Sequence, residues 1–149
     1  MITVFVPPDV SPSKAIASRD GVSICAQNTG VSSAVPVVTD GTDNLFGSWV
    51  QVLSSFSEDT HLATISITPD NQYGYRVLEI AIGEPSAETP IARIEFYNPG
   101  TYVFPIVFQL PFLRLITAGT RLSARAAGTN VSSLGRTLQV VPHFAKGLS

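Results

Sequence analysis

Two histidines, His61 and His143, and one cysteine, Cys25, are the only side chains of their kind in 149 residues. Nucleophilic catalysis by Ser or Cys needs a base beside the nucleophile and a third group that orients the base. Serines are plentiful, but no Gly-x-Ser-x-Gly elbow occurs. His61 follows Asp59-Thr60 at the start of a strand-like run, and His143 follows Pro142 near the end of another. Both read as ordinary edge residues. Cys25 lies in the apolar run Val22-Ser-Ile-Cys-Ala26, where an inert, buried thiol is expected, and a lone cysteine forms no internal disulfide.

The carboxylates are no better placed for chemistry. Glycoside hydrolysis needs two of them flanking a bond at a set separation. Glu58 with Asp59, and Glu84 with Glu88, fall in predicted loops without a surrounding signature. Asp40-Gly-Thr-Asp43-Asn44 supplies oxygen ligands of the kind calcium takes, but lacks the spacing of an EF-hand, so a turn is the expectation. Tyr73, Tyr75, Tyr97 and Tyr102 lie in or beside predicted turns and are the best material for a small ligand, as a sugar-stacking face. The reading is of a chain without catalytic residues, metal or cofactor.

Composition narrows the class further. The chain is 44% hydrophobic and only 13% charged, apolar for a monomer in water, so a second subunit or a partner is expected to cover part of the surface. A formal net charge of -2 gives no global attraction to nucleic acid or to an anionic membrane. The first residues, Met1-Ile-Thr-Val-Phe-Val-Pro-Pro, lack the basic start and long apolar core of a secretion signal, and no run approaches a membrane span. A cytosolic site of synthesis is expected.

The elements that would hold these residues are strands. Apolar residues alternate with polar ones over Trp49 to Phe56, Leu62 to Thr68, Arg76 to Ile82, Ile91 to Tyr97, Tyr102 to Phe108, Leu113 to Ile116, Arg121 to Ala126 and Thr137 to Phe144. Leu78, Ile80 and Ile82 share one face against Glu79, and Ala92, Ile94 and Phe96 oppose Arg93 and Glu95. Trp49, Phe56, Phe96, Phe104 and Phe108 are expected in the core. Turn residues such as Asn98-Pro-Gly100 and Ala118-Gly-Thr120 separate the runs, and no segment shows helical spacing. The pattern predicts an all-β antiparallel sandwich, jelly-roll-like, with an immunoglobulin-like sandwich as the other topology of similar strand count.

Residues 1–45 differ in texture. They are rich in Ser, Thr, Gly and Pro, with Phe5 the only aromatic, and carry short β-like runs at Ile2 to Val6, Val22 to Ala26 and Ala34 to Val38. They are expected to form an extended N-terminal arm and edge strands lying on a core domain at 46–149. Removal of residues 1–40 is expected to leave a folded core that no longer assembles.

Charge is divided along the chain. Phe46 to Glu95 holds seven acidic residues and two basic ones, whereas Phe96 to Ser149 holds five basic residues, Arg114, Arg121, Arg125, Arg136 and Lys146, and no acidic one. The two sets can neutralise each other within a subunit through cross-strand pairs. They can also face each other between subunits, where complementarity fixes register.

Four blocks carry a resemblance: Gly47-Ser-Trp-Val-Gln-Val-Leu53, Val77-Leu-Glu-Ile-Ala-Ile-Gly83, Tyr102-Val-Phe-Pro-Ile106 and Ala118-Gly-Thr-Arg-Leu-Ser-Ala-Arg125. In this order they resemble small β-sandwich virion proteins of tailed bacteriophages, most of all capsid decoration, or cement, proteins. The likeness covers about residues 47–126, and Gln109-Leu-Pro-Phe-Leu-Arg-Leu-Ile116 departs from it. It implies a non-enzymatic jelly-roll subunit, often a homotrimer, that is assembled in the host cytoplasm. Such a subunit sits on the major capsid protein at the virion surface. It also implies structural roles for Trp49, Gly83, Pro105 and Gly119, with Gly119 at positive φ in a turn. Together with the charge division it marks Arg114, Arg121, Arg125, Arg136, Glu79 and Glu95 as interface residues. A tail-associated or free carbohydrate-binding module using the tyrosine-bearing loops is the alternative.

Overall fold

A computed structural model describes residues 4–5, 14–17, 23–25, 34–101 and 105–146, with side chains from residue 34 onward except at 111–113 and 146. Every regular element is a strand: β1 (Val4–Phe5), β2 (Lys14–Ala17), β3 (Ser23–Cys25), β4 (Val35–Val38), β5 (Val50–Leu53), β6 (Thr60–Pro69), β7 (Gly74–Ile82), β8 (Thr89–Asn98), β9 (Ile106–Ile116), β10 (Leu122–Gly128) and β11 (Thr137–Lys146). No helix occurs among the described residues.

The strands form two antiparallel sheets packed on one core. One runs β1-β2-β3-β11-β6-β9, with β4 also paired to β11, and the other runs β5-β10-β7-β8. The pairs β7·β8, β6·β9, β5·β10 and β4·β11 are all antiparallel. The last eight strands therefore form one long double-stranded ribbon, folded back at the β7–β8 turn and rolled so that successive pairs alternate between sheets. That is the jelly roll, and it excludes the immunoglobulin-like order.

Alternation fills the core. The seven-stranded sheet contributes Val37, Leu62, Ile65, Ile67, Leu138, Val140 and Phe144, and the four-stranded sheet contributes Val52, Leu78, Ile80, Ile94, Leu122, Ala124 and Ala126. Each buried Leu or Ile contributes roughly 1.5–3 kcal/mol of transfer free energy. Phe56 closes the core edge-on against Phe144, with ring centroids 5.1 Å apart.

Three features differ from the sequence reading. Leu113 to Ile116 and the described end of Tyr102 to Phe108 belong to one strand, β9. Its ladder with β6 jumps from Thr64↔Gln109 to Leu62↔Arg114, so residues 110–113 bulge opposite Ala63. Pro111 sits in that bulge on an edge strand, where proline is tolerated. Residues 102–104, including Tyr102 and Phe104, lie outside the described residues, as does the expected burial of the Cys25 side chain.

The sandwich also begins before residue 46. β4 is an edge strand, but Val37 is fully buried, and Thr39 receives the Arg136 amide on its Oγ1 at 2.8 Å. Removal of residues 1–40 would therefore cut into the core. Finally, Trp49 is not a core residue. It is half-buried on the outer surface of the four-stranded sheet, over Arg125.

Pro142 would break the ladder of an ordinary central strand. It sits where β11 changes partner, from β4, which ends at Val140, to β3, which begins at Phe144.

Candidate functional site

The outer faces of the two sheets differ in kind. On the four-stranded sheet, charge alternates from strand to strand. Arg125 on β10 stands beside Glu79 on β7, which stands beside Arg93 on β8. Arg125 donates to Glu79 Oε2 from Nε at 2.8 Å, and its Nη2 lies 2.7 Å from the same oxygen. Arg93 lies 3.6 Å from Glu79 Oε1 and donates to Glu95 Oε1 at 2.7 Å. Phe46 and Trp49 each stack on the Arg125 guanidinium, 4.4 Å from ring centroid to charge centre. A cation between two rings gains quadrupole attraction that an exposed cation lacks.

The six expected interface residues are thus mostly engaged within the chain. Besides Arg125, Glu79 and Glu95, Arg121 binds Glu88 at 3.1 Å and Gln51 at 3.2 Å. Arg136 donates to the Asn130 carbonyl at 3.0 Å and stands 3.9 Å from Asp70. Burial alone would raise the Glu88 carboxyl, but hydrogen bonds from backbone amides and from Arg121 outweigh it and hold the group below its ordinary value. Arg114 is exposed on β9 and has no ion-pair partner among the described residues. The split of charge along the sequence is therefore used for cross-strand pairing within one subunit, because rolling the ribbon sets Arg125 of β10 against Glu79 of β7.

The structural positions fall as follows. Gly83 holds φ 121° beside the Ala87 carbonyl, and Gly119 holds φ 79° in open space. Pro105 is exposed just before β9.

Three of the carboxylates weighed for catalysis or metal binding cap turns. Asp40 accepts the Thr42 amide at 2.9 Å, Asp43 the Val131 amide at 3.0 Å, and Asp59 the Ala118 amide at 2.8 Å. His61 pairs with Leu115 across the β6–β9 ladder. His143 shares a 2.7 Å hydrogen bond with Ser66 on the neighbouring strand, a pair 77 residues apart in sequence that only the β6–β11 register reveals. No carboxylate orients the imidazole among the described residues. Burial lowers the His143 pKa, so the ring is neutral at pH 7.

A second cluster lies at one end of the four-stranded sheet. Tyr73, Tyr75 and Tyr97 are all more than half exposed, and Tyr75 meets Tyr97 edge-on at 5.1 Å. Beneath them is a buried polar clamp. Arg76, fully buried, donates to the Tyr75, Thr129 and Gln72 carbonyls at 2.8–3.1 Å and reaches Asp70 at 3.4 Å. Asn98, also buried, donates to the Asp70 and Gln72 carbonyls and accepts the Gly100 amide. Thr129 Oγ1 accepts the Tyr75 amide, and Asn130 donates to the Tyr73 carbonyl. A buried guanidinium is costly unless hydrogen-bonded; both terminal nitrogens are bonded, whereas the buried Nε has no partner among the described residues. Here the guanidinium fixes the backbone of residues 70–75, and so the exposed tyrosines. In sequence Arg76 looks like an ordinary outward strand residue; its parity with Leu78 and Ile80 was the signal that it points inward.

No family model matches this chain, and no curated protein matches it.

The outer face of the seven-stranded sheet is the opposite of its counterpart. Alternation against the core places Pro36 and Val38, Gln139, Val141 and His143, Thr64, Ser66 and Thr68, and Val107 and Gln109 outward. None of these is acidic or carries a lysine or arginine. Val107 is 62% exposed and Leu115 53%, both on β9, whose far edge pairs with no other strand among the described residues.

Proposed function

We propose that this chain is a non-enzymatic structural subunit of a tailed-phage virion, a capsid decoration subunit that docks on the major capsid protein through the outer face of its seven-stranded sheet. The observation that carries this reading is the contrast between the two faces. The four-stranded sheet keeps its charges and pairs them internally, whereas the outward side chains named above on β4, β6, β9 and β11 are hydroxyls, amides, apolar groups and a histidine, with Arg114 near the end of β9 the one exposed lysine or arginine among the described side chains of that sheet. Depletion of charge is the compositional mark of interface centres. The unpaired edge of β9 adjoins that face and offers backbone groups to a neighbouring strand.

The resemblance of residues 47–126 to virion β-sandwiches supplies the class of assembly, and the jelly-roll order agrees with it. A decoration subunit works by repetition: each contact is modest, and a homotrimer on a symmetric lattice multiplies it. The docking surface differs from that drawn from the arginines, since Arg121, Arg125 and Arg136 have partners within the chain.

The test is stoichiometry. Quantitative mass spectrometry of purified virions should find the chain in proportion to the major capsid protein, on the order of hundreds of copies per particle as symmetric lattices require. A few copies per particle, or none, would contradict the reading.

A further inference from the structure

We infer that the tyrosine-bearing end of the four-stranded sheet is a binding site for a neutral pyranose sugar. This function is separate from capsid docking, because it uses the opposite sheet. Tyr75 lines a cavity of ≈ 150 Å³ together with Val77, Ala127, Phe46, Asn44 and Arg93, and Tyr97 packs edge-on against Tyr75. That volume is about the size of one hexose ring, and an apolar floor with a few converging polar groups is the usual build of a small-ligand site.

The chemistry of the lining selects the ligand. The Tyr75 and Tyr97 rings meet at 66°, so each offers a separate face for the C–H face of a sugar while its hydroxyl remains available. The Asn44 carboxamide and both tyrosine hydroxyls have no hydrogen-bond partner among the described residues. Arg93 is the one cation among the described residues that line the cavity, and Glu95 and Glu79 already balance it, at 2.7 and 3.6 Å. Its spare N–H groups can meet hydroxyls, but the paired carboxylates oppose an anionic ligand. A cationic ligand would meet the guanidinium.

Rigidity is the second, independent observation. Tyrosines that merely cover a sandwich rim need no fixed backbone. Tyr73, just before β7, and Tyr75, at its start, stand on backbone held by two buried polar side chains, Arg76 and Asn98. Such a clamp reduces the ordering cost of binding, which is how aromatic platforms gain affinity for weakly held ligands.

The test uses the isolated full-length chain, so the fate of the capsid reading does not affect it. Backbone amide chemical shifts would be followed by NMR during titration with maltoheptaose, cellohexaose, chitohexaose and mannohexaose, and with sialyllactose as the anionic comparison. Shifts should cluster at residues 44–46, 73–77, 93–97 and 127–129 for at least one neutral oligosaccharide. Tyr75→Ala should weaken that binding about tenfold or more, the loss of one stacking contact, while thermal unfolding stays within a few degrees of wild type. Tyr75→Phe, which keeps the ring, should retain most of the affinity and guards against a folding effect of the alanine. Absence of shifts across the neutral panel, binding of sialyllactose alone, or binding that survives Tyr75→Ala together with Tyr97→Ala would overturn the proposal.

Discussion

Arg125 donates from Nε to one oxygen of Glu79 at 2.8 Å, with Nη2 2.7 Å from the same oxygen, and Glu79 lies on the adjacent strand with its side chain only 11% exposed. The pair sits under the rings of Phe46 and Trp49 and ties β10 to β7. Removing the arginine leaves the carboxylate with only Arg93, at 3.6 Å, and takes the plate from under both rings. Arg125→Ala should cost about 2–3 kcal/mol in urea unfolding, as expected for a half-shielded pair whose partner is orphaned. Arg125→Lys should cost about 1 kcal/mol, because the charge survives but the planar stacking does not. Particle association should change with neither, since this arginine faces its own subunit.

The two glycines Gly83 and Gly119 share positive φ but not surroundings. A Cβ at Gly83 would stand 2.7 Å from the Ala87 carbonyl, whereas one at Gly119 would meet nothing within 4 Å. Gly119→Asn should therefore cost at most about 1 kcal/mol, the residual preference of the left-handed region. Gly83→Ala adds a backbone clash to the same strain and should cost about 2 kcal/mol or more. Equal losses in a paired denaturation experiment would contradict the placement of the Gly83–Ala87 turn.

Stability should fall in two separate steps on acidification. His143 is held neutral by burial, so its folded pKa lies below the ordinary value of 6.5. As pH drops through 6.5 the unfolded chain takes up the proton first, and stability present above that pH is lost until the folded ring also protonates. Glu88 is held below its ordinary value of 4.5. Its contribution is complete above that value and is lost as pH falls through the depressed one. Melting curves across this range should show the first step abolished in His143→Gln, which can still bond Ser66, and the second step retained. An unaltered first step would assign it to another group.

Deletion should separate arm from sandwich at residue 33, not at residue 40 or 45. Loss of residues 1–33 removes β1, β2 and β3 and leaves all eight jelly-roll strands. Loss of residues 1–40 also removes Val37, which is fully buried, and the Thr39 hydroxyl that accepts the Arg136 amide. The shorter deletion should melt cooperatively within about 5 °C of wild type, and the longer one should lose about 3 kcal/mol or more, the scale of a cavity left by a buried branched residue. Equal stability of the two deletions would mean that β4 adds nothing to the core.

Much of this architecture can be read in the sequence because it rests on period-two alternation. Leu78, Ile80 and Ile82 against Glu79, and Ala92, Ile94 and Phe96 against Arg93, are local patterns that fix which face is buried. What alternation does not show is which outer residues meet across strands. Arg125 and Glu79 are 46 residues apart, and their pairing follows only from the rolled ribbon that puts β10 beside β7. Trp49 misleads for the same reason: a large aromatic in a strand reads as core, but its face depends on a register that places Arg125 beneath it. Arg76 misleads in the other direction, since a charge in a strand reads as wet unless the carbonyls that receive its terminal N–H groups are known. Lys14–Ala17 carries no clear alternation and becomes a strand through pairing with β1 and β3.

The most direct test of the account is co-sedimentation of the purified chain with capsids stripped of it, comparing wild type with the double variant Gln109→Lys and Gln139→Lys. These residues lie on β9 and β11, on the uncharged face and separated by β6, so the variant should fold with a nearly unchanged melting temperature. Wild type should bind to saturation, and the variant should lose about tenfold or more in affinity, the cost of burying unpaired charge at an interface. Tyr75→Ala should bind capsids like wild type. Full binding by the lysine variant, or no binding by the wild-type chain, would contradict docking through the seven-stranded sheet.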